Sequence, residues 1–428
     1  QLVSDEGRAG FIVPTGIATD DSTKAYFAHL TQSGRLASLY DIENRERLFP
    51  AVDSRMKFCL LTVGRAAAAE FVCFATQAAQ LADPRRRFRL TPDEFRLINP
   101  NTLTCPVFRS ERDAELTKKL YRAALVLITE GPPERNPWGI SFSQGLFNMT
   151  SDSGLFRDAP APGRQPLYEA KMIHQFDHRW ATYAADGSSG DVAVDAKQDP
   201  SFRVTPRYWV DATAVESRLA AKGWSRGWLM GWRDICRATD ERTVIASVVA
   251  KVATGDTLLL MFPDPKHGAR VAGLLADQCS LVHDYVARQK VGGTHLKYHV
   301  KKQLPNLPPD RYSEADLAFI VPRVLELSYT AHDLQPWAAD LGHAGLPFAW
   351  DPERRARLRA ELDAYYARLY GLTRDELRYI LDPADIMGAD YPSETFRVLK
   401  NNETRQFGEY RTRRLVLEAW DALAATAT

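Results

Sequence analysis

The sequence predicts an α/β fold at the front of the chain, a mixed α+β stretch after it, and helices to close. Three observations carry that order. Short apolar runs flank a helix-length stretch over residues 1–80, the alternation that α/β layers produce. Pro and Gly punctuate residues 81–305 heavily, with apolar runs and helical periodicity both present. From residue 306 to 428, helix caps and helically spaced apolar positions replace strand runs. Those three spans are the expected domains, within the two to four or so that a chain of 428 residues suggests.

Each element follows from local chemistry. Phe11 to Val13 is a short apolar strand stopped by Pro14-Thr15-Gly16. Asp20 to Leu30 reads as a helix, with Asp20, Asp21 and Ser22 as candidate caps. Leu36 to Tyr40, Met56 to Val63 and Phe71 to Ala75 are strands, the second apolar enough to expect burial on both faces. Gly64 to Glu70 reads as a hairpin connection between the last two. The run Arg85-Arg86-Arg87-Phe88-Arg89 marks a boundary, and Asp186 to Gly190 an exposed loop. Thr243 to Ala253 and Thr257 to Phe262 flank Gly255-Asp256, a hairpin signal. Residues 269–290 form a helix that Gly292-Gly293 ends. Leu304 to Pro309 is an extended linker, because prolines exclude helix. Asp351-Pro352 starts a helix that Gly371 stops, and Thr373-Arg374-Asp375-Glu376 is a capping box for the next.

Composition excludes several classes. Hydrophobic residues at 45% and charged residues at 25% are globular values, so disordered and fibrous chains are out. Lys+Arg at 55 against Asp+Glu at 54 excludes a histone-like binder but leaves room for a local basic groove. The 5 cysteines lack any CxxC pair, which argues against a disulfide scaffold or zinc ribbon and for reduced thiols in a cytoplasm. No apolar run is long enough to span a membrane, and no signal peptide is evident. The chain starts at Gln1 and enters a strand within ten residues, which reads as a piece cut from something longer.

Catalytic motifs are scarce. There is no GxGxxG, no GxxxxGK[ST] and no GxSxG. His174-x3-His178 and His295-x3-His299 would put two imidazoles on one helix face, yet no third ligand accompanies either pair, so no metal is expected. Asp191 with Asp195-Ala196-Lys197 has the residue types of a nuclease centre but sits too tightly spaced in a Gly/Ser loop. Basic stretches laced with aromatics are the better signal. Arg288, Lys290, His295, Lys297, Tyr298, His299, Lys301 and Lys302 form one, and two more centre on Trp224 to Arg242 and Tyr168 to Trp180. Such stretches suit phosphate contact; a solvated face with core tryptophans is the alternative.

A family resemblance enters on longer segments. Gly7-Arg8-Ala9-Gly10-Phe11-Ile12-Val13-Pro14-Thr15-Gly16-Ile17 resembles the late sheet strand of adenine-specific DNA methyltransferases of the type IIG restriction-modification and phage-defence kind. Leu36 to Arg45 and Leu48-Phe49-Pro50 to Leu61 continue it. Tyr168 to His174, Gly231 to Arg237 and Gly292 to Leu296 resemble the target-recognition part, and Leu377 to Pro383 the helical tail. The resemblance spans essentially the whole chain.

It implies the end of a Rossmann-like methyltransferase sheet over 1–80, a target-recognition region over 81–305 and a helical C-terminal region over 306–428. It implies methyl transfer from S-adenosylmethionine to adenine N6 in double-stranded DNA, in the cytoplasm, with other restriction or phage-defence subunits as candidate partners. By resemblance, Phe49, followed by Pro50, packs on the extruded adenine; an extruded base needs an apolar face, though Phe49 reads equally as core. Lys171, Arg233, Arg237, His295 and Lys297 would be DNA contacts. The glycine-rich cofactor motif and the Asn-Pro-Pro-aromatic motif are missing, and both belong upstream of the first strand. Asn99-Pro100-Asn101-Thr102 lacks the second proline and the aromatic, so no catalytic residue is assigned. S-adenosylmethionine would be held mainly by that upstream part, and this chain alone would not methylate. The alternative is a stand-alone DNA-binding specificity subunit working with a separate methylase chain.

Overall fold

The computed structural model describes residues 4, 6–291 and 293–425. Gln1, Gly292 and the Asp21 side chain, all named above, lie outside the described residues. The protein is a mixed α/β chain with several small sheets and many helices. It divides into two compact units. The first is Gln1–Arg135, Lys302–Pro305 and Tyr370–Arg397; the second is Asn136–Lys301, Asn306–Leu369 and Val398–Thr428.

The first unit is built on β1 (Ala9–Pro14), β2 (Leu36–Glu43), β3 (Lys57–Val63), β4 (Ala69–Ala75) and β5 (Phe88–Leu90), in the order β1-β3-β2-β4-β5. β3 is antiparallel to both β1 and β2. β1 and β2 therefore run the same way, and β4 is parallel to β2. Three strands thus end on one side of the sheet, at Pro14, Glu43 and Ala75. The expected hairpin across Gly64 to Glu70 does not form: β2 lies between β3 and β4, so that segment crosses over rather than turns back. β3 is also less enclosed than its apolar run suggested. Cys59 and Leu61 are buried, while Phe58 and Leu60 are half-buried.

Helices α1 (Lys24–Gln32), α2 (Pro92–Ile98) and α3 (Glu111–Ala123) complete this unit's core. The Phe27, Phe71, Phe88, Phe95 and Phe108 rings pack edge to face and stacked. α1 starts later than the sequence suggested, and its N-cap, Thr23, makes no side-chain cap bond. α2 has the full capping box, with Thr91 and Glu94 each receiving the other's backbone N–H.

The second unit holds β6 (Ser141–Ser143), β7 (Arg164–Tyr168), β8 (Trp209–Asp211), β9 (Trp228–Arg233), β10 (Ala246–Ala250), β11 (Ala253–Thr254) and β12 (Leu258–Phe262). An antiparallel sheet runs β10-β9-β12-β6, and a smaller one runs β8-β7-β11. The hairpin expected at Gly255-Asp256 is absent, because β9 intervenes between β10 and β12. Gly231 sits in β9 because a Cβ there would lie 2.5 Å from the Leu259 carbonyl oxygen. The helix expected over 269–290 is two, α4 (Arg270–Cys279) and α5 (Leu281–Arg288), broken at Ser280, whose hydroxyl caps α5. α6 (Glu314–Ser328) packs on α4, and α7 (Pro352–Leu369) on α8 (Arg411–Ala425). Among the described residues no helix is long and apolar enough to cross a membrane.

Candidate nucleic-acid interface

In open α/β sheets ligands gather outside the carboxyl ends of the strands, where loops diverge. In the first unit that side carries the loop from Asn44 to Met56, joining β2 to β3. Its construction starts from one amide. The Asn44 side chain is fully buried, and its Nδ2 donates to the carbonyls of Phe49 at 3.0 Å and Val52 at 2.9 Å. Its Oδ1 accepts the Phe49 N–H at 3.0 Å. Arg47 turns the chain with φ 52°, a left-handed conformation uncommon for a residue with a Cβ. The backbone is thereby clamped while the side chains face out. Phe49 is 40% exposed, and Leu48, Val52 and Met56 are exposed with it. The Phe49 ring rests edge-on against Phe58, centroids 4.8 Å apart. Pro50 is exposed beside it. A rigid loop holding an aromatic ring in water is an arrangement that suits stacking on a flat ligand.

The second unit gathers two of the five basic candidates, His295 and Lys297, on Asp234. Its carboxylate is 2% exposed, and Oδ2 receives His295 Nδ1 at 2.9 Å and Lys297 Nζ at 2.7 Å. The strand end and the 294–296 segment meet as a bridge between Ile235 and His295. A carboxylate only accepts, so Nδ1 carries the proton and Nε2 of a neutral ring is left as an acceptor. His295 is half exposed, so that nitrogen can meet a ligand. Asp234 Oδ1 and the Tyr298 hydroxyl are both buried, with no hydrogen-bond partner among the described residues. Burial, then the Asp234 charge, pushes the Tyr298 phenol above its ordinary range.

Lys171 and Arg233 meet nearby in the chain's fold. The Arg233 guanidinium donates to the carbonyls of Ile173 and Lys171, at 2.9 Å from Nε to Ile173. It is largely enclosed, and burial pushes its pKa down to about 10. Its contacts make it a strut for the segment that carries Lys171. The Lys171 ammonium is exposed and lies 4.4 Å from the Tyr183 ring centroid. Arg237 is exposed, its backbone N–H held by Asp240. Phe49 and Pro50 belong to the first unit and the five basic residues to the second.

Asp234 and Asn44 escaped the sequence reading. Both act on residues that no local pattern links to them: Asp234 reaches His295 across 61 positions, and Asn44 looks like an ordinary strand end. Other candidates resolve into architecture. His174 and His178 sit on a tight turn rather than a helix, since His174 bridges Asp177, and His178 pairs with Asp333 at 2.9 Å. His295 likewise precedes the short helix that includes His299. Lys197 is a buried partner of Asp177 at 2.7 Å, which removes it from a nuclease centre. Trp228 and Trp232 are core residues, and Lys301 is buried beneath Trp232. Asn99 is buried and donates to the Thr104 carbonyl at 2.8 Å, a loop tie rather than a catalytic amide.

Neither a family model nor a curated protein matches the chain. Among solved structures it is similar to the type IIG restriction endonuclease BpuSI, with a TM-score of 0.31 and 12% identity over 89% of this chain and 48% of that one. It is also similar to the type IIL restriction-modification enzyme MmeI in complex with DNA, with a TM-score of 0.38 and 11% identity over 86% of this chain and 47% of that one. The chain spans about half the length of the solved structures it matches.

Proposed function

We propose that this chain is the DNA-engaging, C-terminal portion of an adenine-N6 DNA methyltransferase of the restriction-modification kind. The observation that carries the reading is the Asn44-clamped loop, which holds Phe49 in water at the carboxyl end of three like-directed strands. A base drawn out of a duplex loses its stacking, and an exposed, immobilised ring replaces it. The reversed strand β3, inserted between two strands of like direction, supports reading residues 1–80 as the end of a Rossmann-like methyltransferase sheet. Residues 81–305 would then read the target and 306–428 support it.

Within that reading Lys171, Arg237, His295 and Lys297 face DNA, and Arg233 holds Lys171 in place. His295 suits base reading, because Asp234 fixes which ring nitrogen carries the proton. The residues present do not fit S-adenosylmethionine. The chain has no glycine-rich loop after a strand and no Asn-Pro-Pro-aromatic motif, so no step of methyl transfer is assigned to it. Its part is to bind duplex DNA at a specific site and seat one extruded adenine.

Selection from a random pool of duplexes tests this. The chain is expected to enrich one short sequence containing a fixed adenine, with specific sites bound at least about 10³-fold more tightly than random duplex. Recovery of no common sequence by folded protein would remove the reading.

A further inference from the structure

The arginine run at 85–89 is spent unevenly. Arg85 pairs with Asp83 at 3.0 Å and with Asp390 at 2.8 Å. Arg87 pairs with Glu70 at 3.2 Å, and Arg89 with the same carboxylate at 3.3 Å. Arg86 is half-buried, and among the described residues its guanidinium has neither a carboxylate within ion-pair distance nor a hydrogen bond. Burial pushes it below the ordinary arginine range.

Arg109 repeats the pattern. It too is half-buried, with no ion pair or hydrogen bond among the described residues. Its guanidinium lies 4.2 Å from the Phe74 ring centroid, and Lys57 Nζ lies 5.1 Å from the same centroid. Burial lowers Arg109 as well; Glu394 and Asp113 oppose the shift, while the like charges of Arg86 and Arg397 add to it.

Phe74 is itself unusual. It has φ 60° inside a β-strand, where an aromatic residue is strained. The strain is held in place. The Phe74 N–H donates to Asp41 Oδ2 at 3.3 Å, and Asp41 Oδ1 accepts the Thr15 hydroxyl at 2.6 Å. The β2–β4 register shifts at the same point, between Tyr40 and Ile42. Phe74 lies at the carboxyl end of β4, the side of the sheet that also carries the Phe49 loop.

We propose that Arg109 and Lys57, which share the Phe74 ring, and Arg86, whose turn packs against the helix α3 that Arg109 precedes, form a phosphate site that takes a phosphodiester of the DNA backbone. Two half-buried guanidiniums with no acid at ion-pair distance among the described residues are open to an oxyanion, and a phosphate offers each a two-point acceptor. The duplex backbone is the source favoured, because the same edge of the sheet presents Phe49 to a base. This inference rests on the chain being a DNA-binding protein.

The test compares the whole chain with its Arg86→Gln/Arg109→Gln variant, which keeps size and loses charge. Duplex binding is measured by anisotropy across a range of salt. Each lost phosphate contact lowers the slope of log affinity against log salt by about 0.9, so the variant's slope should be shallower by about 1 to 2. An unchanged slope in a variant that still unfolds cooperatively overturns the proposal. A second arm keeps the site separable from the function. Inorganic phosphate should raise the melting temperature of the wild-type chain more than chloride does at equal ionic strength, and should lose that advantage in the variant. A phosphate advantage in a chain that fails to bind duplex DNA at any salt would sink the DNA reading and the backbone assignment together. Absence of the phosphate advantage in wild type would sink the site alone. A slope unchanged in the variant, with adenosine monophosphate still stabilising only wild type, would give the site to a free nucleotide and overturn the assignment to DNA.

Discussion

At the scale of single residues, Asn44 decides whether Phe49 is presented at all. A buried amide that satisfies two carbonyls and one N–H cannot be cut back without leaving those groups unpaired. Asn44→Ala should cost about 1–3 kcal/mol of unfolding free energy, read from urea denaturation, and should weaken binding to a duplex with an unpaired adenine. Asn44→Asp separates the roles. It keeps the acceptor and loses both donations, so the loop should loosen although the size of the side chain is unchanged. Full base-stacking affinity in both variants would detach the loop's rigidity from its function. Phe49 was named in the sequence by family resemblance alone, and the structure leaves its ring 40% exposed. Asn44 was not legible, since its partners are carbonyls that only the folded loop brings to it.

Elements were legible where local chemistry sets them. The Phe11 to Val13, Leu36 to Tyr40 and Phe71 to Ala75 runs are strands in the structure, and the Thr373 capping box is made. Pairing was not legible. Gly64 to Glu70 looks like a turn, yet connects strands separated by β2, and Gly255-Asp256 looks like one, yet joins β11 of one sheet to β12 of another. Strand order depends on long-range packing, to which a turn signal is blind. β1 shows the same limit. Its apolar residues suggest a buried strand, but Phe11 and Ile12, which point to opposite faces, are both exposed. A charge buried between elements gives the pH prediction. Lys301 lies 5.6 Å from the Trp232 ring of β9 and contacts His283 of α5 at 3.4 Å. Burial pushes its pKa down to about 7, against the pull of Cys279, Asp277, Cys236 and Asp284. The unfolded chain holds that proton up to about pH 10.4. Between those values unfolding takes up a proton, so this residue's contribution to stability is lost as pH falls from about 10.4 towards about 7. Lys301→Met should flatten that part of the stability curve, measured by chemical denaturation at a series of pH values. An unchanged curve would mean that Lys301 reaches water.

For the whole molecule, a formal net charge of +1 means that no global field draws the chain to DNA. Affinity has to come from local features: the exposed ring of Phe49, the cations left without acids, and the His295–Asp234–Lys297 group. That accounts for how weak the nucleic-acid signal is in composition, and the proposed function rests on these local features instead. The most direct measurement places 2-aminopurine at the fixed adenine of the selected duplex and follows its fluorescence with wild-type chain and Phe49→Ala. Wild type should raise the emission as the base leaves the stack. The variant should bind this duplex about 5- to 150-fold more weakly, the equivalent of about 1–3 kcal/mol of stacking, with the emission change reduced. Equal affinity and equal emission in the two proteins would contradict the claim that this chain seats an extruded base on Phe49.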